Sequence, residues 1–284
     1  MLEFDRAIGL LKLEKDDFID IKVNHITASD SNKKLCFIDG GNSEIISSAQ
    51  LSLQMIKIVA VFMENNRLIK TLSEKKIIMI KPKEGAYEIE EIGKEKFTIK
   101  SNKDLKEIGN IVRNVYELRF CRKVQQDFEG LIIKDGAFEA FTELEKKELE
   151  KLTNICGLSK TSMDTFQDIS LTGALNKIPG TWYLESEGYH IVKLNSLSRY
   201  SFRLDLKSLN IMDVIPALIF NSKDFVYPGY PYGLILVDRL ARVSDQQTAY
   251  LKAYIEAKMG KDWKKISLLE NSTNAHSVLD KLSF

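Results

Sequence analysis

The sequence lacks the features that mark secreted, membrane-spanning and cysteine-based metal proteins. No apolar run reaches the roughly 18 residues needed to cross a bilayer. The first residues carry no basic region followed by an apolar stretch, so no secretion signal is expected. Cys36, Cys121 and Cys156 form no CxxC pair, which argues against a cysteine zinc site and favours free thiols in a reducing cytoplasm. These absences predict a cytoplasmic protein with no membrane partner.

Motifs of nucleotide-driven enzymes and of nucleophilic hydrolases are also missing. There is no glycine-rich phosphate loop of the Walker or dinucleotide type, so an ATP site is not expected. His25, His190 and His276 occur in no metal-ligand spacing, and Ser159 lacks the GxSxG context of a nucleophile. The net charge is only +1, from 41 basic and 40 acidic residues. Any contact with nucleic acid must therefore come from a local basic groove.

What is present fits an α/β protein. The chain has 284 residues, of which 44% are hydrophobic and 29% charged, enough for one large folded domain. The apolar runs predict a hairpin-rich β start, a helix, and then strands alternating with helices. That order predicts a mixed sheet with helices on both faces and with helical and hairpin insertions. We expect one domain over 1–284, with a core at about 35–259 and a peripheral N-terminal helix (1–30) and C-terminal tail (260–284).

The expected elements can be placed along the chain from periodicity and turn residues. Strands are predicted at Leu35–Ile38, 51–63, from Leu68, at Lys76–Ile80, Leu131–Lys134 and Asn154–Leu158, with a hairpin over 181–206. Helices are predicted at about 103–124, 137–152, 163–180 and from Asp238 to about 259. Residues 84–104 are charged and poorly periodic, and they predict a loop.

Two predicted strands end in an Asp-Gly pair, at Asp39-Gly40 and at Asp135-Gly136. An apolar strand that delivers an Asp into a glycine turn places the carboxylate at the carboxyl edge of the sheet, where α/β proteins build sites. Two like charges held close together favour a divalent cation with oxygen ligands. Asp-Gly pairs are also common in turns, so either Asp, taken alone, could have only a structural role in a turn.

Further acids and one lysine are weaker candidates. On the predicted helix, Glu107 and Glu117 are available, but at roughly 100° per residue Glu117 lies nearly opposite the apolar stripe, which favours a solvated side chain. Asp238 follows the run Leu234-Ile235-Leu236-Val237, and it could instead cap a helix or pair with Arg239 or Arg242. Lys160, after a predicted strand, is a candidate phosphate contact.

Taken together, these segments resemble the NurA nucleases, which are partners of HerA-type hexameric ATPases. The resemblance covers about 35–259 and departs from the family at Ala137-Phe138, where proline and leucine are usual. The matching residues are Phe37-Ile38-Asp39-Gly40-Gly41, Arg113 with Glu117, Leu131-Ile132-Ile133-Lys134-Asp135-Gly136, Gly157-Leu158-Ser159-Lys160-Thr161-Ser162, Phe202-Arg203-Leu204-Asp205 and Gly229-Tyr230-Pro231-Tyr232-Gly233-Leu234-Ile235-Leu236-Val237-Asp238-Arg239-Leu240-Ala241.

The resemblance implies an RNase H-like fold, a homodimer, a HerA-type partner and Mn²⁺- or Mg²⁺-dependent cleavage of DNA during end processing. It assigns the metal-ligand and catalytic roles to Asp39, Glu117, Asp135 and Asp238, with Lys160 as a further catalytic residue. The working hypothesis is hydrolysis with two metal ions, in which Asp39 bridges both ions. Residues expected to contact DNA are Tyr230, Tyr232, Arg203 and Arg239.

Two other functions are compatible with the sequence. One is an RNase H-like protein that clamps DNA or docks on an ATPase without cutting, for which the four acids need not converge. The other is a metal phosphohydrolase of small nucleotides, which predicts a narrow, closed pocket.

Overall fold

A long mixed β-sheet forms the centre of the fold. The computed structural model describes residues 22–27, 33–160, 165–166, 169–170, 175 and 177–270. The predicted helix at 1–30 lies almost entirely outside these residues, as does most of the tail at 260–284. The strands are β1 (Asn24–His25), β2 (Leu35–Ser47), β3 (Ser52–Glu64), β4 (Arg67–Lys83), β5 (Ala86–Glu91), β6 (Lys96–Lys100), β7 (Leu131–Asp135), β8 (Ile155–Ser159), β9 (Thr165–Phe166), β10 (Ile169–Ser170), β11 (Trp182–Ser186), β12 (Tyr189–Lys193) and β13 (Phe202–Lys207).

Eleven of these strands form one sheet in the order β1-β11-β12-β13-β8-β7-β2-β3-β4-β5-β6. β7 runs parallel to both β2 and β8, and the other neighbours in the sheet are antiparallel. β9 and β10 form a separate two-stranded pair. The centre of the sheet is therefore β2, β7 and β8, and it is flanked by antiparallel strands on both sides.

Helices cover both faces of the sheet. They are α1 (Leu105–Asp127), α2 (Glu143–Glu150), α3 (Ile211–Asn221), α4 (Tyr232–Ala241) and α5 (Asp245–Met259). α1 begins where the side chain of Asp104 accepts the backbone N–H of Glu107 at 2.8 Å, which satisfies one free donor of the first turn. None of the described helices is both long and apolar enough to span a membrane.

The alternation of side chains in the central strands separates two hydrophobic cores. Leu35 and Phe37 of β2 pack in a core with residues of α3 and α4. Cys36 and Ile38 point to the opposite face and pack with residues of α1. Because the central strands are covered on both faces, they read as continuous apolar runs. Odd-numbered residues of β2 and β7 consequently face α4, and even-numbered residues face α1.

Helix α4 lies unusually close to β2, and two glycines allow it. A Cβ atom added to Gly233 of α4 would overlap the ring of Phe37 on β2. A Cβ added to Gly41 of β2 would lie 2.5 Å from the carbonyl oxygen of Ala241, at the other end of α4. The two backbones therefore approach each other directly, and the last turns of α4 lie over the middle of β2.

The prediction that β2 ends at Asp39 is wrong. β2 continues to Ser47, because β3 pairs with it along its whole length, from Leu35 opposite Met63 to Ser47 opposite Ser52. Only the parallel partner β7 stops early, with Ile38 opposite Lys134. Gly40 and Gly41 stay in the strand and make room for neighbouring elements instead of forming a turn.

Several other boundaries also differ from expectation. Residues 84–104 contain the hairpin of β5 and β6, whose alternating Tyr87, Ile89, Phe97 and Ile99 are hidden among charged residues. The two strands predicted at Leu68 and at Lys76–Ile80 are one strand, β4. The described part of 163–180 includes β9 and β10 where a helix was expected, and α3 was not predicted. The β3–β4 hairpin, α1, and the end of β7 at Asp135 confirm the predictions.

Replacing Gly233 with alanine is expected to lower the free energy of unfolding by about 1–3 kcal/mol, because either Phe37 must leave its position or α4 must lift from β2. Urea denaturation of the purified protein measures this change. Leu240→Ala, on the exposed side of the same helix, is the matched control and should change it by no more than about 0.5 kcal/mol. Equal midpoints for Gly233→Ala and the unchanged protein would contradict this packing.

Candidate active site

Three aspartates from three separate elements meet on the α4 face of the sheet. Asp39 lies in the middle of β2, Asp135 is the last residue of β7, and Asp238 lies near the end of α4. Carboxylate oxygens of the three residues all lie within 4.8 Å of one another. Asp39 and Asp135 point to this face because they follow Phe37 and Ile133 by two residues in neighbouring parallel strands. We call these three residues the aspartate cluster.

Asp39 is buried next to other carboxylates. It is only 8% exposed. Burial, together with the nearby carboxylates of Glu117 and Asp135, raises the pKa of Asp39 to about 7. The guanidinium of Arg113 and the backbone N–H of Gly40, which donates to Asp39 Oδ1 at 2.8 Å, oppose this rise without cancelling it. A proton or a cation at this point would relieve the repulsion.

Asp135 is held by a tyrosine and a lysine. The hydroxyl of Tyr230 donates to Asp135 Oδ1 at 3.2 Å, and Lys160 Nζ lies 3.5 Å from Oδ2. Lys160 also lies 5.0 Å from the centre of the Tyr230 ring. Burial raises the pKa of Asp135, although Lys160 and Lys134 act against it. The structure thus places Lys160 beside Asp135, and its role as a phosphate contact stays a prediction.

Asp238 belongs to the aspartate cluster and also forms an ion pair with Arg242, which the sequence offers as the alternative to a metal-binding role. Arg242 Nη2 lies 2.9 Å from Asp238 Oδ2. Both side chains remain partly exposed, at 74% for Arg242 and 34% for Asp238, so this ion pair is weak. The position of Asp238 above β2 is set by the close packing of α4 and not by the pair.

Glu117 is buried, so the prediction of a solvated side chain, based on helical periodicity, is wrong. Its side chain is 1% exposed, with Oε1 2.8 Å from Arg113 Nη1 and Oε2 2.9 Å from Lys134 Nζ. Glu117 fits because Gly40 faces it: a Cβ there would lie 2.6 Å from Oε1. It reaches β2 from the α1 face, and the convergent set found among the described residues contains the three aspartates without it.

Two cations on the α1 face were not predicted to have a role. Arg113 donates to the carbonyl oxygen of Gly40 at 2.7 Å, and its Nη1 lies 3.9 Å from Asp39 Oδ1. Lys134 donates to the carbonyl oxygen of Asp135 at 2.8 Å. Burial tends to lower the pKa of Lys134, but its ion pair with Glu117 raises it overall, so Lys134 stays charged. A lysine inside the buried run Leu131–Asp135 requires a buried anion, and that signal was available in the sequence.

The predicted DNA-contacting residues fall in three different places. Tyr230 and Arg239 line a groove of about 890 Å³ next to the aspartate cluster. Arg203 lines a second cavity of about 450 Å³ on the other side of Asp135, and its guanidinium is engaged by Glu139 and Asp205. Tyr232 lies in a separate cavity with Asn221 and Phe225. Of the two tyrosines, the structure brings only Tyr230 to the acids.

Solved structures of nucleases have a similar fold. The NurA nuclease from Sulfolobus solfataricus is 14% identical, with a TM-score of 0.61 over 92% of this chain and 94% of that one. A second NurA structure is 11% identical, with a TM-score of 0.60 over 92% and 99% of the two chains. Endonuclease V from Streptomyces avermitilis matches with a TM-score of 0.45 at 11% identity, over 85% of this chain and 92% of that one.

The expected fold is thereby confirmed: the chain has a NurA-like, RNase H-like α/β fold. No protein-family model and no curated protein sequence matches the chain. At 14% identity or less, the likeness concerns the fold alone.

Asp39→Asn is expected to stabilise the protein in the absence of divalent cations. The folded-state pKa of Asp39 is raised from 3.8 to about 7, so between these values the folded protein binds more protons than the unfolded chain. The wild-type protein therefore loses stability as pH rises through this window. Asparagine avoids that loss, which is at most about 4 kcal/mol. Thermal unfolding in EDTA from pH 5 to 8.5 should show a gain in melting temperature that grows toward pH 7 and then levels off.

Asp262→Asn is the control, because Asp262 is exposed on the surface and its ion pair among the described residues is with the exposed Lys265. Its melting temperature should follow that of the wild type at every pH. A pH-independent difference for Asp39→Asn would show that Asp39 does not have the raised pKa described above.

Proposed function

We propose that this protein is a divalent-metal-dependent DNA nuclease that hydrolyses phosphodiester bonds at the aspartate cluster. One observation supports this most directly: Asp39, Asp135 and Asp238 come from two strands and a helix, and their oxygens lie within 4.8 Å of one another. Folding does not bring three like charges together without a compensating ligand or a loss of stability. The fold, which is similar to that of NurA nucleases, adds independent support.

The chemistry of the cluster fits Mg²⁺ or Mn²⁺. Its donors are carboxylate oxygens, which these hard cations prefer, and the convergent group contains neither histidine nor cysteine. Burial first, and then the neighbouring carboxylates of Glu117 and Asp135, raise the pKa of Asp39, and a bound cation would favour its charged form. We propose that Asp39, Asp135 and Asp238 would together hold two such ions per site. When bound, such ions lower the pKa of water and stabilise a leaving oxygen.

The surrounding side chains have distinct proposed roles. Tyr230 fixes the orientation of Asp135 through its hydroxyl group. Lys160 is 51% exposed and 3.5 Å from Asp135, so its ammonium can turn toward a phosphate and offset charge that develops on it. Glu117 remains a proposed ligand: its oxygens each contact one cation, Arg113 or Lys134, and each keeps a second lone pair that could bind an ion. Both cations would then still neutralise charge behind Asp39.

The groove beside the cluster suits a polymer better than a small nucleotide. Asp238, Lys160 and Tyr230, which lie at the aspartate cluster, line the groove together with Arg239 and Arg242. Its outer part includes Arg199 and the exposed side chains of Tyr200 and Tyr227, at 67% and 58%. Arginines pair with phosphates, and exposed aromatic rings stack on unpaired bases. We propose that DNA lies along this groove. A hydrolase of small nucleotides, which predicts a narrow, closed pocket, is the less favoured alternative.

The remaining parts of the proposal concern partners and setting. We propose that the protein is a cytoplasmic homodimer that acts on DNA ends with a HerA-type hexameric ATPase, since the sequence contains no ATP-binding motif of its own. The alternative, a non-catalytic DNA clamp or ATPase-docking protein, requires no convergence of the acids. Convergence of three of the four favours the nuclease.

Cleavage of end-labelled single- and double-stranded DNA is expected in Mn²⁺ or Mg²⁺ and not in EDTA. Asp39→Asn and Asp238→Asn should each reduce the rate by more than roughly 100-fold, because even residues behind a metal ligand contribute 10- to 100-fold. Asp262→Asn should cut at the wild-type rate. Cleavage that persists in EDTA or in Asp39→Asn would rule out the aspartate cluster as the site. If the wild-type protein cuts nothing, with or without its ATPase, the clamp replaces the nuclease as the proposal.

Binding of single-stranded DNA should weaken when the outer tyrosines of the groove are removed. In an Asp39→Asn background, Tyr200→Ala and Tyr227→Ala are each expected to raise the dissociation constant by roughly tenfold, since stacking on one base contributes about 1–3 kcal/mol. Fluorescence anisotropy with a labelled oligonucleotide measures this. Tyr250→Ala, which removes a 70% exposed tyrosine on α5, is the control. Equal affinities in all three variants would place the DNA elsewhere.

A further inference from the structure

Strand β4 has an edge that is only half covered. β3 pairs with β4 from Arg67 to Ile80. On its other side, β5 pairs only with Ile78–Lys83, and the carbonyl oxygen of Ile77 accepts the N–H of Ile92. Within the described part of the chain, no strand borders the outer edge of 67–76. This segment, which we call the open edge, presents backbone donors and acceptors to the outside.

The open edge also exposes large apolar side chains. Every residue from 67 to 73 is exposed, including Leu68 at 52%, Ile69 at 60% and Leu72 at 45%. The segment contains no proline, but it carries Arg67, Lys70, Lys75 and Lys76, and a register shift leaves Ile69 without a partner residue on β3. Sheet edges are normally blunted by lysines, prolines or shortness. β6 is such an edge, since it is five residues long with Lys96 and Lys100 at its ends. The open edge has lysines too, but it is longer and also exposes Leu68, Ile69 and Leu72.

The sequence of the open edge is complementary to itself. When two copies of a strand pair antiparallel about a two-fold axis, one residue lies opposite its own copy. With Leu72 at that position, Leu72 meets Leu72, and Lys70 lies opposite Glu74 of the second copy at both ends. These three residues share one face of the sheet, because they pair with Phe62, Ala60 and Ile58 of β3 and all three of those pack in the core beneath α1.

Neighbouring symmetric registers are poorer. With Thr71 or Ser73 at the centre, a charged residue lies opposite Leu72 in each case, and with Glu74 at the centre two carboxylates face each other. In its own chain, Glu74 lies 2.6 Å from Lys123 and is 30% exposed, so it can meet a cation from a second copy. Opposite charges across a strand pair stabilise it, and like charges destabilise it.

We propose that the open edge is the docking surface for a second copy of this chain, with β4 paired antiparallel to β4 about Leu72. The two sheets then continue into one another, and the two Leu72 side chains cover each other. This inference names the surface of the homodimer proposed above and rests on that part of the proposed function. It is independent of the nuclease chemistry, since no residue of the aspartate cluster takes part.

Sedimentation equilibrium of the full chain tests the proposal through a charge exchange. Lys70→Glu and Glu74→Lys, made separately, place like charges opposite each other twice per dimer and should each weaken dimerisation by roughly tenfold or more. The double variant Lys70→Glu with Glu74→Lys restores opposite charges and should recover affinity to within about threefold of the wild type. Lys75→Glu makes the same change of charge opposite Ile69 and should have a smaller effect than either.

Circular dichroism and melting temperature, measured on each variant, separate loss of dimer from loss of fold. Leu72→Lys is a second probe that should yield a folded monomer. A wild-type chain that is monomeric at micromolar concentration overturns both the homodimer and this surface. A dimer that is insensitive to all these substitutions overturns the surface alone, and the DNA cleavage assay reports on the nuclease separately in either case.

Discussion

The close approach of two helices to one strand from opposite faces is the constraint on which the site depends. β2 carries Gly40 and Gly41 immediately after Asp39. Gly40 admits the carboxylate of Glu117 from α1, and Gly41 admits the carbonyl end of α4. Without both contacts, Asp238 would not reach Asp39, and Glu117 would not sit behind it. The negative charge of the site is therefore concentrated by backbone packing and not by attraction between the acids.

The same packing explains why the two faces differ in electrostatics. On the α1 face, Glu117 is neutralised by Arg113 and Lys134, and the two cations also bind backbone carbonyl groups of β2 and β7. On the α4 face, Lys160 lies close to Asp135 and Arg242 close to Asp238, while Asp39 is reached by Arg113 from the opposite face at 3.9 Å. One face is internally balanced, and the other is left with a surplus of negative charge beside an arginine-bearing groove. That asymmetry is what a cation and a phosphate backbone would complement.

Local patterns in the sequence account for part of this arrangement. Asp39 and Asp135 could be proposed because both come directly after a run of buried apolar residues, in two strands that are parallel neighbours. The contribution of Asp238 could not, because it depends on contacts of Gly233 and Gly41 that are nonlocal. Periodicity failed for Glu117 since α1 is buried on more than one side, so that a single apolar stripe misrepresents it. The β5–β6 hairpin was missed because charged residues on its exposed side obscured the alternation.

The two glycines of β2 also carry a consequence for how sequence variation is tolerated. An ordinary strand with two covered faces accepts different apolar side chains at successive positions, and a half-exposed strand accepts polar ones at every second position. At 40 and 41, neither pattern can hold, because each face is filled by a neighbour's backbone or carboxylate. A saturation mutagenesis library should therefore show two adjacent positions, 40 and 41, that reject nearly every replacement. In a half-exposed β-strand, tolerant and intolerant positions normally alternate.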